Sequence, residues 1–228
     1  MEEHKPFTWL GALPYPEHTL TAGLVALLIV GFAVLVRPKL AATEAAIEPD
    51  PRVSARSFAE VFVEFIDGLA EGVIGHGAER YVPLLGSFFI FILVANLIGL
   101  VPGFTPPTAD FNITLALGTV AFVAYHVAGT REHGVKYLQH FLGPVVFLAP
   151  LMLVVELFSH MFRPVSLGIR LFANMFADHQ VVEIFTGLTK LGVPVIFYVL
   201  GAFVAVVQAF VFTMLSAIYI ALAVAHDH

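Results

Sequence analysis

Residues 144–188 have the sequence PVVFLAPLMLVVELFSHMFRPVSLGIRLFANMFADHQVVEIFTGL, one apolar, helix-compatible stretch of about 45 residues. As a single α-helix it would extend roughly 67 Å, whereas the hydrocarbon core of a bilayer is about 30 Å thick. Two upright spans that break near Arg163-Pro164 could accommodate it, and so could one kinked helix that lies steeply tilted. No run of turn residues accompanies Pro164, so the sequence favours one long tilted helix with a proline kink.

The composition indicates a polytopic membrane protein. Of the 228 residues, 59% are hydrophobic and 12% are charged, and the mean hydropathy is +0.90. Soluble domains carry about 25% charged residues. The net charge of −6 argues against nucleic acid as a partner. Because the sequence contains no cysteine, neither a disulfide framework nor a cysteine metal site is possible.

The N-terminal part predicts a retained membrane helix. Residues 1–6 lack the basic region of a signal peptide, and the first apolar run begins late. That run, residues 19–36, has spanning length and is ended by Arg37-Pro38-Lys39. A loop rich in Ala, Glu and Pro follows, to about Pro51.

Residues 52–74 have an amphipathic pattern, with apolar residues at helical spacing and acidic residues on the other side. A helix that lies at the membrane surface explains this pattern, and so does an ordinary helix packed on a neighbour. The position between two spans favours the surface helix. The apolar residues are Phe58, Val61, Phe62, Phe65, Ile66 and Leu69, and the acidic ones are Glu60, Glu64, Asp67 and Glu71.

Two further spans are predicted at residues 81–101 and 112–128, with a proline-containing turn between them. Residues 129–143 form a polar loop or interfacial turn. The last stretch, residues 193–225, is again too long for an upright span, so it should form a long, strongly tilted hairpin with residues 144–188. We therefore predict an all-α fold of five transmembrane helices and one amphipathic surface helix, in a single membrane domain.

The basic residues indicate the orientation, because cytoplasmic loops carry an excess of Lys and Arg. The connections between spans one and two and between spans three and four are basic, whereas residues 102–111 have no Lys or Arg and residues 188–194 have only Lys190. This pattern places the N-terminus outside and the C-terminus in the cytoplasm. The basic residues concerned are Arg37, Lys39, Arg52, Arg56, Arg131 and Lys136.

Arg170 is the most informative single residue, because its guanidinium stays protonated inside an apolar stretch. Such a charge at a helix centre costs about 2.5–3.5 kcal/mol on insertion scales, and it usually faces a carboxylate, a wet cavity or an ion path. No acid lies three or four residues away on the helix. Those positions hold Ser166, Leu167, Ala173 and Asn174. The partner of Arg170 must therefore come from elsewhere, which includes another chain.

A stripe of polar residues follows the same long element, and steps of three, four and seven residues place several of them on one face. They are Glu156, His160, Arg163, Arg170, Asn174, Asp178, His179 and Glu183. These groups either pair and hold the bundle together or form a proton relay, for which Asp, Glu and His are suited. The facing amides Asn96 and Gln208 could line a wet path or bond across helices.

No enzyme constellation occurs: the sequence has no H-E-x-x-H motif, no G-x-S-x-G elbow and no P-loop. We expect a non-catalytic protein without cofactor or bound metal. Two alternatives remain open. One is a self-contained secondary transporter in which Arg170 binds an anionic substrate, although no internal repeat supports it. The other is a membrane enzyme that holds a metal with Glu156, His160 and His179.

Several segments resemble subunit a of F-type ATP synthases. The segment Arg163–Met175, RPVSLGIRLFANM, resembles the signature of that family. Other stretches agree with the family in order and spacing: residues 83–103 (PLLGSFFIFILVANLIGLVPG), residues 108–114 (TADFNIT), and residues 208–212 (QAFVF) followed by Tyr219. The resemblance covers about residues 70–225, and the first 70 residues match mainly in layout.

The resemblance implies a membrane stator of ATP synthesis and proton transport in the bacterial inner membrane. Its partners would be a ring of subunit c, the peripheral-stalk subunit b, other ATP synthase subunits and the lipid bilayer. Protons would enter one half-channel, ride the ring, and leave by a second half-channel. Arg170 matches the family's essential arginine, which would keep the passing ring carboxylate ionised and block a direct leak in this rotary motor.

Other roles are implied residue by residue. Asn174 and Gln208 match polar residues near the arginine. Glu156 matches an acidic residue of the cytoplasmic half-channel, and Asn96 matches an amide of the other one.

One pair of the family pattern is incomplete. His179 matches the position of a glutamate in many bacterial members and of a histidine in mitochondrial ones. Its usual partner position on the last helix, often His or Glu, is Gly201 here. Asp178, Glu183 or water would then take the part of the acid.

Overall fold

The computed structural model describes residues 8–11, 14–41, 54–134, 137, 149–189 and 193–225. All regular structure within these residues is helical. Several sequence predictions lie outside the described residues. They concern the N-terminal residues 1–6, the loop to Pro51 with Arg52, the loop residues Lys136 and His140, residues 144–148 and Lys190.

The described residues form six α-helices. They are α1 (Glu17–Ala41), α2 (Ala55–Ile74), α3 (Val82–Ile98), α4 (Phe111–His133), α5 (Ala149–Leu188) and α6 (Val193–Val224). Of these, α1, α4, α5 and α6 are long and apolar enough to cross a membrane, and α3 is a shorter apolar helix. The predicted all-α membrane fold is confirmed.

Two helices continue beyond the apolar runs that predicted them. Helix α1 passes through Pro38 before it ends at Ala41, and α4 extends to His133. Hydropathy marks the part that suits lipid, whereas a helix ends where its backbone hydrogen bonds end. In α4 that end is Gly134, whose φ of 56° and N–H donated to the Thr130 carbonyl at 2.9 Å close the last turn.

Helix α5 is one continuous helix through Pro164, as the sequence favoured. At about 1.5 Å per residue its 40 residues extend roughly 60 Å. Small residues allow α4 to pack closely against it. A Cβ on Gly118 of α4 would overlap the carbonyl oxygen of Pro164, and one on Gly168 of α5 would lie 3.1 Å from the carbonyl oxygen of Thr114.

Helices α5 and α6 form an antiparallel hairpin, because their contact partners advance in opposite directions. The rings of Phe185 and Phe197 stack at a centroid distance of 4.2 Å near the connection. About six helical turns farther from the connection, the guanidinium of Arg163 lies 5.2 Å from the ring centroid of Tyr219. Helix α3 also packs against α6, where the ring centroids of Phe88 and Phe212 lie 5.5 Å apart.

Helix α2 packs part of its apolar face on α3. Phe62 and Phe65 lie 5.9 and 5.6 Å from the ring centroid of Phe89, while Phe58 and Val61 remain 59% and 65% exposed. The helix therefore packs on a neighbour, as one interpretation predicted. It also leaves apolar residues uncovered, as the surface-helix interpretation predicted. Its exposed acids are Glu64, Asp67 and Glu71.

Candidate functional site

Arg170 projects from the exposed side of α5. Its neighbours Leu167 and Leu171 are 2% and 0% exposed and belong to the core, whereas Arg170 itself is exposed. No hydrogen bond or ion pair joins its guanidinium to any residue that the structure describes. The described part of the chain thus supplies no counter-anion for this cation.

One turn along α5, a hydrogen bond joins the two helices of the hairpin. Asn174 Nδ2 donates to Gln208 Oε1 at 2.7 Å. Gln208 is only 3% exposed, so its amide depends on this partner rather than on solvent. The bond fixes the register of α5 and α6 next to Arg170.

Asn96 joins α3, α6 and the loop before α4. It is 3% exposed. Its Oδ1 accepts a hydrogen bond from Thr108 Oγ1 at 2.6 Å, and its Nδ2 donates to the Ala205 carbonyl at 3.4 Å. Sequence reasoning did not single out Thr108 as a site residue, and only its place in the resembling segment 108–114 hinted at a role.

The carboxylate of Asp178 lies against Gly201 at the interface of α5 and α6. A Cβ built on Gly201 would lie 2.6 Å from Asp178 Oδ2 and 3.0 Å from Leu100 Cδ2. Asp178 is partly buried. Among the described residues it makes no hydrogen bond and no ion pair.

The other two titratable candidates on this part of α5 are differently placed. Glu183 is exposed and His179 is partly buried. No hydrogen bond links either of them to Asp178 within the described ranges. The structure therefore does not assemble these three residues into one bonded cluster.

A second polar cluster lies nearer the N-terminal end of α5. Glu156 Oε1 lies 3.0 Å from His160 Nε2, and His160 Nδ1 lies 2.8 Å from the Tyr125 hydroxyl of α4. The guanidinium of Arg163 lies 5.7 Å from the ring centroid of Tyr125, within cation–π range. The spacing of Glu156 and His160 predicted their contact, but the sequence did not pair His160 with Tyr125, which is 35 residues away.

In the metal-enzyme alternative, the continuous helix places His179 far from Glu156 and His160. His160 and His179 lie 19 residues apart on α5, which corresponds to roughly 28 Å along the axis. One metal ion cannot bind both, since its ligands lie about 2 Å away. No group of three or more possible metal ligands occurs among the residues that the structure describes.

The Asn174–Gln208 bond predicts a measurable coupling. We expect Asn174→Leu and Gln208→Leu each to destabilise the chain, and the double variant to be little worse than either single one. Hydrogen bonds between membrane helices average about 0.6 kcal/mol and reach roughly 1.7 kcal/mol, which bounds the coupling energy. The measurement is SDS-induced unfolding of the four proteins in mixed micelles. Strictly additive effects would show that the two amides do not interact.

Comparison with known proteins gives a consistent result. Residues 19–221 match the family model of the ATP synthase A chain. ATP synthase subunit a of Bdellovibrio bacteriovorus is 47% identical over 97% of this chain and 99% of its own length. ATP synthase subunit a of Solibacter usitatus is 44% identical, and ATP synthase subunit a 1 of Syntrophotalea carbinolica is 41% identical, each over 92% of this chain and 87% of the relative.

Proposed function

Since this chain belongs to the ATP synthase A chain family, we propose that it is the membrane stator that guides protons between two half-channels and a ring of subunit c. It couples proton translocation to rotation and ATP synthesis, and it holds no catalytic residues of its own. The alternative transporter has no observation in its favour beyond the charge of Arg170 in an apolar helix, which both functions share.

One observation carries the proposal: Arg170 is exposed and has no anionic partner among the described residues. A stator cation should be free to meet a carboxylate that arrives on a neighbouring subunit. An opposite charge within about 4–6 Å favours the ionised form of that carboxylate, so it gives up its proton as it passes Arg170. Each elementary charge that crosses the membrane is worth about 2.3 kcal/mol per 100 mV of membrane potential. The energy of these crossings adds up over the many subunits of the ring.

On the cytoplasmic side of Arg170, we assign the half-channel to the surroundings of Glu156. Its carboxylate is 39% exposed and hydrogen-bonded to His160, so it is both accessible and held in place. The described contacts of Asn174 and Gln208 support a polar surface next to Arg170 itself.

On the outer side we assign the half-channel to the region where α5 meets the ends of α3 and α6. Asn96 is anchored there, one turn of α6 from Gly201. The titratable residues of α5 in this region are Asp178, His179 and Glu183.

We place the chain in the bacterial inner membrane as a single multi-pass domain, with the N-terminus outside and the C-terminus in the cytoplasm. The bacterial relatives and the spanning helices support this placement, and the basic connections between spans support the orientation. The partners are the ring of subunit c, subunit b of the peripheral stalk and the other ATP synthase subunits.

Purification tests the proposal directly. We expect the tagged chain, solubilised in mild detergent from the cells that make it, to co-purify with a small ring-forming proteolipid and with ATPase subunits. Mass spectrometry of the purified material and of the intact ring checks this. A chain that purifies alone, and that moves an anionic solute across liposomes without partners, would establish the transporter instead.

A further inference from the structure

We propose that Asp178 is the proton-carrying carboxylate of the outer half-channel and that Gly201 is glycine because this carboxylate occupies the place of its side chain. The inference rests on the stator function proposed above. Helix α5 supplies the acid of this half-channel, and α6 leaves space for it at position 201.

The Asp178 carboxylate fits into the space that the missing side chain of Gly201 leaves. A Cβ on Gly201 would lie 2.6 Å from Asp178 Oδ2 and 3.4 Å from Asp178 Cγ, and the first distance is far inside van der Waals contact. Leu100, two residues beyond the end of α3, lies 3.0 Å from the same Cβ through its Cδ2 atom. A side chain at position 201 would therefore require the Asp178 carboxylate to move from this place.

The bonding state of the Asp178 carboxylate also suits proton exchange. Asp178 is partly buried and makes no hydrogen bond or ion pair with any other described residue. A carboxylate clamped by an arginine or by several N–H donors keeps its charge and cannot carry a proton easily. One without such partners can exchange protons with water.

The position of Asp178 relative to Arg170 also supports the assignment. Asp178 lies eight residues beyond Arg170 on the same continuous helix, about 12 Å along its axis. Its contact residue Gly201 lies one turn from Ala205, whose carbonyl accepts from Asn96. The hydrogen-bonded pair of Asn174 and Gln208 lies between this place and Arg170. Polar groups thus follow the hairpin from Asp178 to the arginine.

Asp178 is favoured over its neighbours for this role. Glu183 is exposed, and no hydrogen bond or ion pair joins its carboxylate to α6 within the described residues. His179 follows Asp178 directly and so points about 100° away around the helix. The Asp178 carboxylate, in contrast, occupies the place of a Cβ at position 201 of α6.

The proton balance is simple. The Asp178 carboxylate accepts one proton from hydronium on the outer aqueous side and releases water. The neutral acid then donates the same proton towards the ring carboxylate that has passed Arg170, which regenerates the Asp178 carboxylate. No other reactant is consumed.

A residue swap tests the pair in the assembled complex. We expect Asp178→Asn and Asp178→Ala to lower ATP-driven proton pumping in membrane vesicles by roughly tenfold or more, in line with loss of a positioned proton-transfer group. Gly201→Asp alone should also lower pumping, because two carboxylates would compete for one place. The double variant Asp178→Ala/Gly201→Asp returns a carboxylate to that place from α6, and we expect it to pump several-fold faster than either single variant.

The controls separate this inference from the stator function. Asp67→Asn removes an exposed acid of α2 by the same substitution and should leave pumping unchanged. Pumping is normalised to the amount of assembled complex, so that a folding defect is not counted as a transport defect. Wild-type pumping in Asp178→Asn, or a double variant no better than the poorer single one, overturns the inference while the stator function stands. Absence of pumping in the wild-type complex would overturn the stator function instead.

Discussion

Replacing Arg170 by alanine should abolish ATP-driven proton pumping while the complex still assembles. The side chain is exposed and makes no bond to the described residues, so its removal leaves the packing of α5 intact. Without the guanidinium, a ring carboxylate loses the charge that favours its ionised form and passes the stator still protonated. The half-channels also lose the cation that separates them, and passive proton permeability should rise.

Fluorescence-quench assays on inverted membrane vesicles measure both quantities, and gel electrophoresis of the solubilised complex measures assembly. The matched control is Arg131→Ala, which removes an exposed arginine at the end of α4 and should leave pumping unchanged. Normal coupled pumping in Arg170→Ala would refute the role assigned to this residue, whatever the outcome for Asp178.

The second large effect is expected at Gly118. In Gly118→Leu the new Cβ overlaps the carbonyl oxygen of Pro164, which belongs to the backbone and cannot rotate away. Overpacking of an interior typically costs about 1–3 kcal/mol, and a clash with backbone lies at or above the upper end. Helices α4 and α5 would have to separate, so we expect little or no assembled complex.

Immunoblots of membranes and of the purified complex measure this loss. Gly31→Leu is the matched control, because Gly31 lies in the spanning helix α1 with no atom within 4 Å of a Cβ built there. The control should assemble normally. An equal yield of complex from both variants would show that α4 and α5 do not depend on the close approach at Gly118.

The long helix and the isolated arginine could be predicted because both follow from local sequence. The apolar stretch around Pro164 has no turn residues, and it forms one helix, α5. No acid stands one turn from Arg170, and the described residues provide none from farther away. In both cases the relevant interactions span only a few residues, and helical periodicity describes them.

Contacts between helices could not be predicted in the same way. Two such contacts depend on the register of one helix against another: the contact between Asp178 and Gly201, and the hydrogen bond between Tyr125 and His160. That register is fixed by close packing, such as the glycine contacts between α4 and α5, rather than by the periodicity of either helix. The sequence therefore left three candidates for the acid of the outer half-channel, Asp178, Glu183 and water, and the contact of Asp178 with Gly201 supports the proposal made for Asp178.

The unbroken course of α5 also has a consequence for the path of the ion. Glu156 and Asp178 lie 22 residues apart on one helix, about 33 Å along its axis. A rod of roughly 60 Å that stays within about 30 Å of hydrocarbon must lean far from the bilayer normal. The two acids are then offset mainly sideways, parallel to the membrane plane. In the stator function proposed above, a carboxylate carried on the ring of subunit c would supply this sideways transfer of the proton.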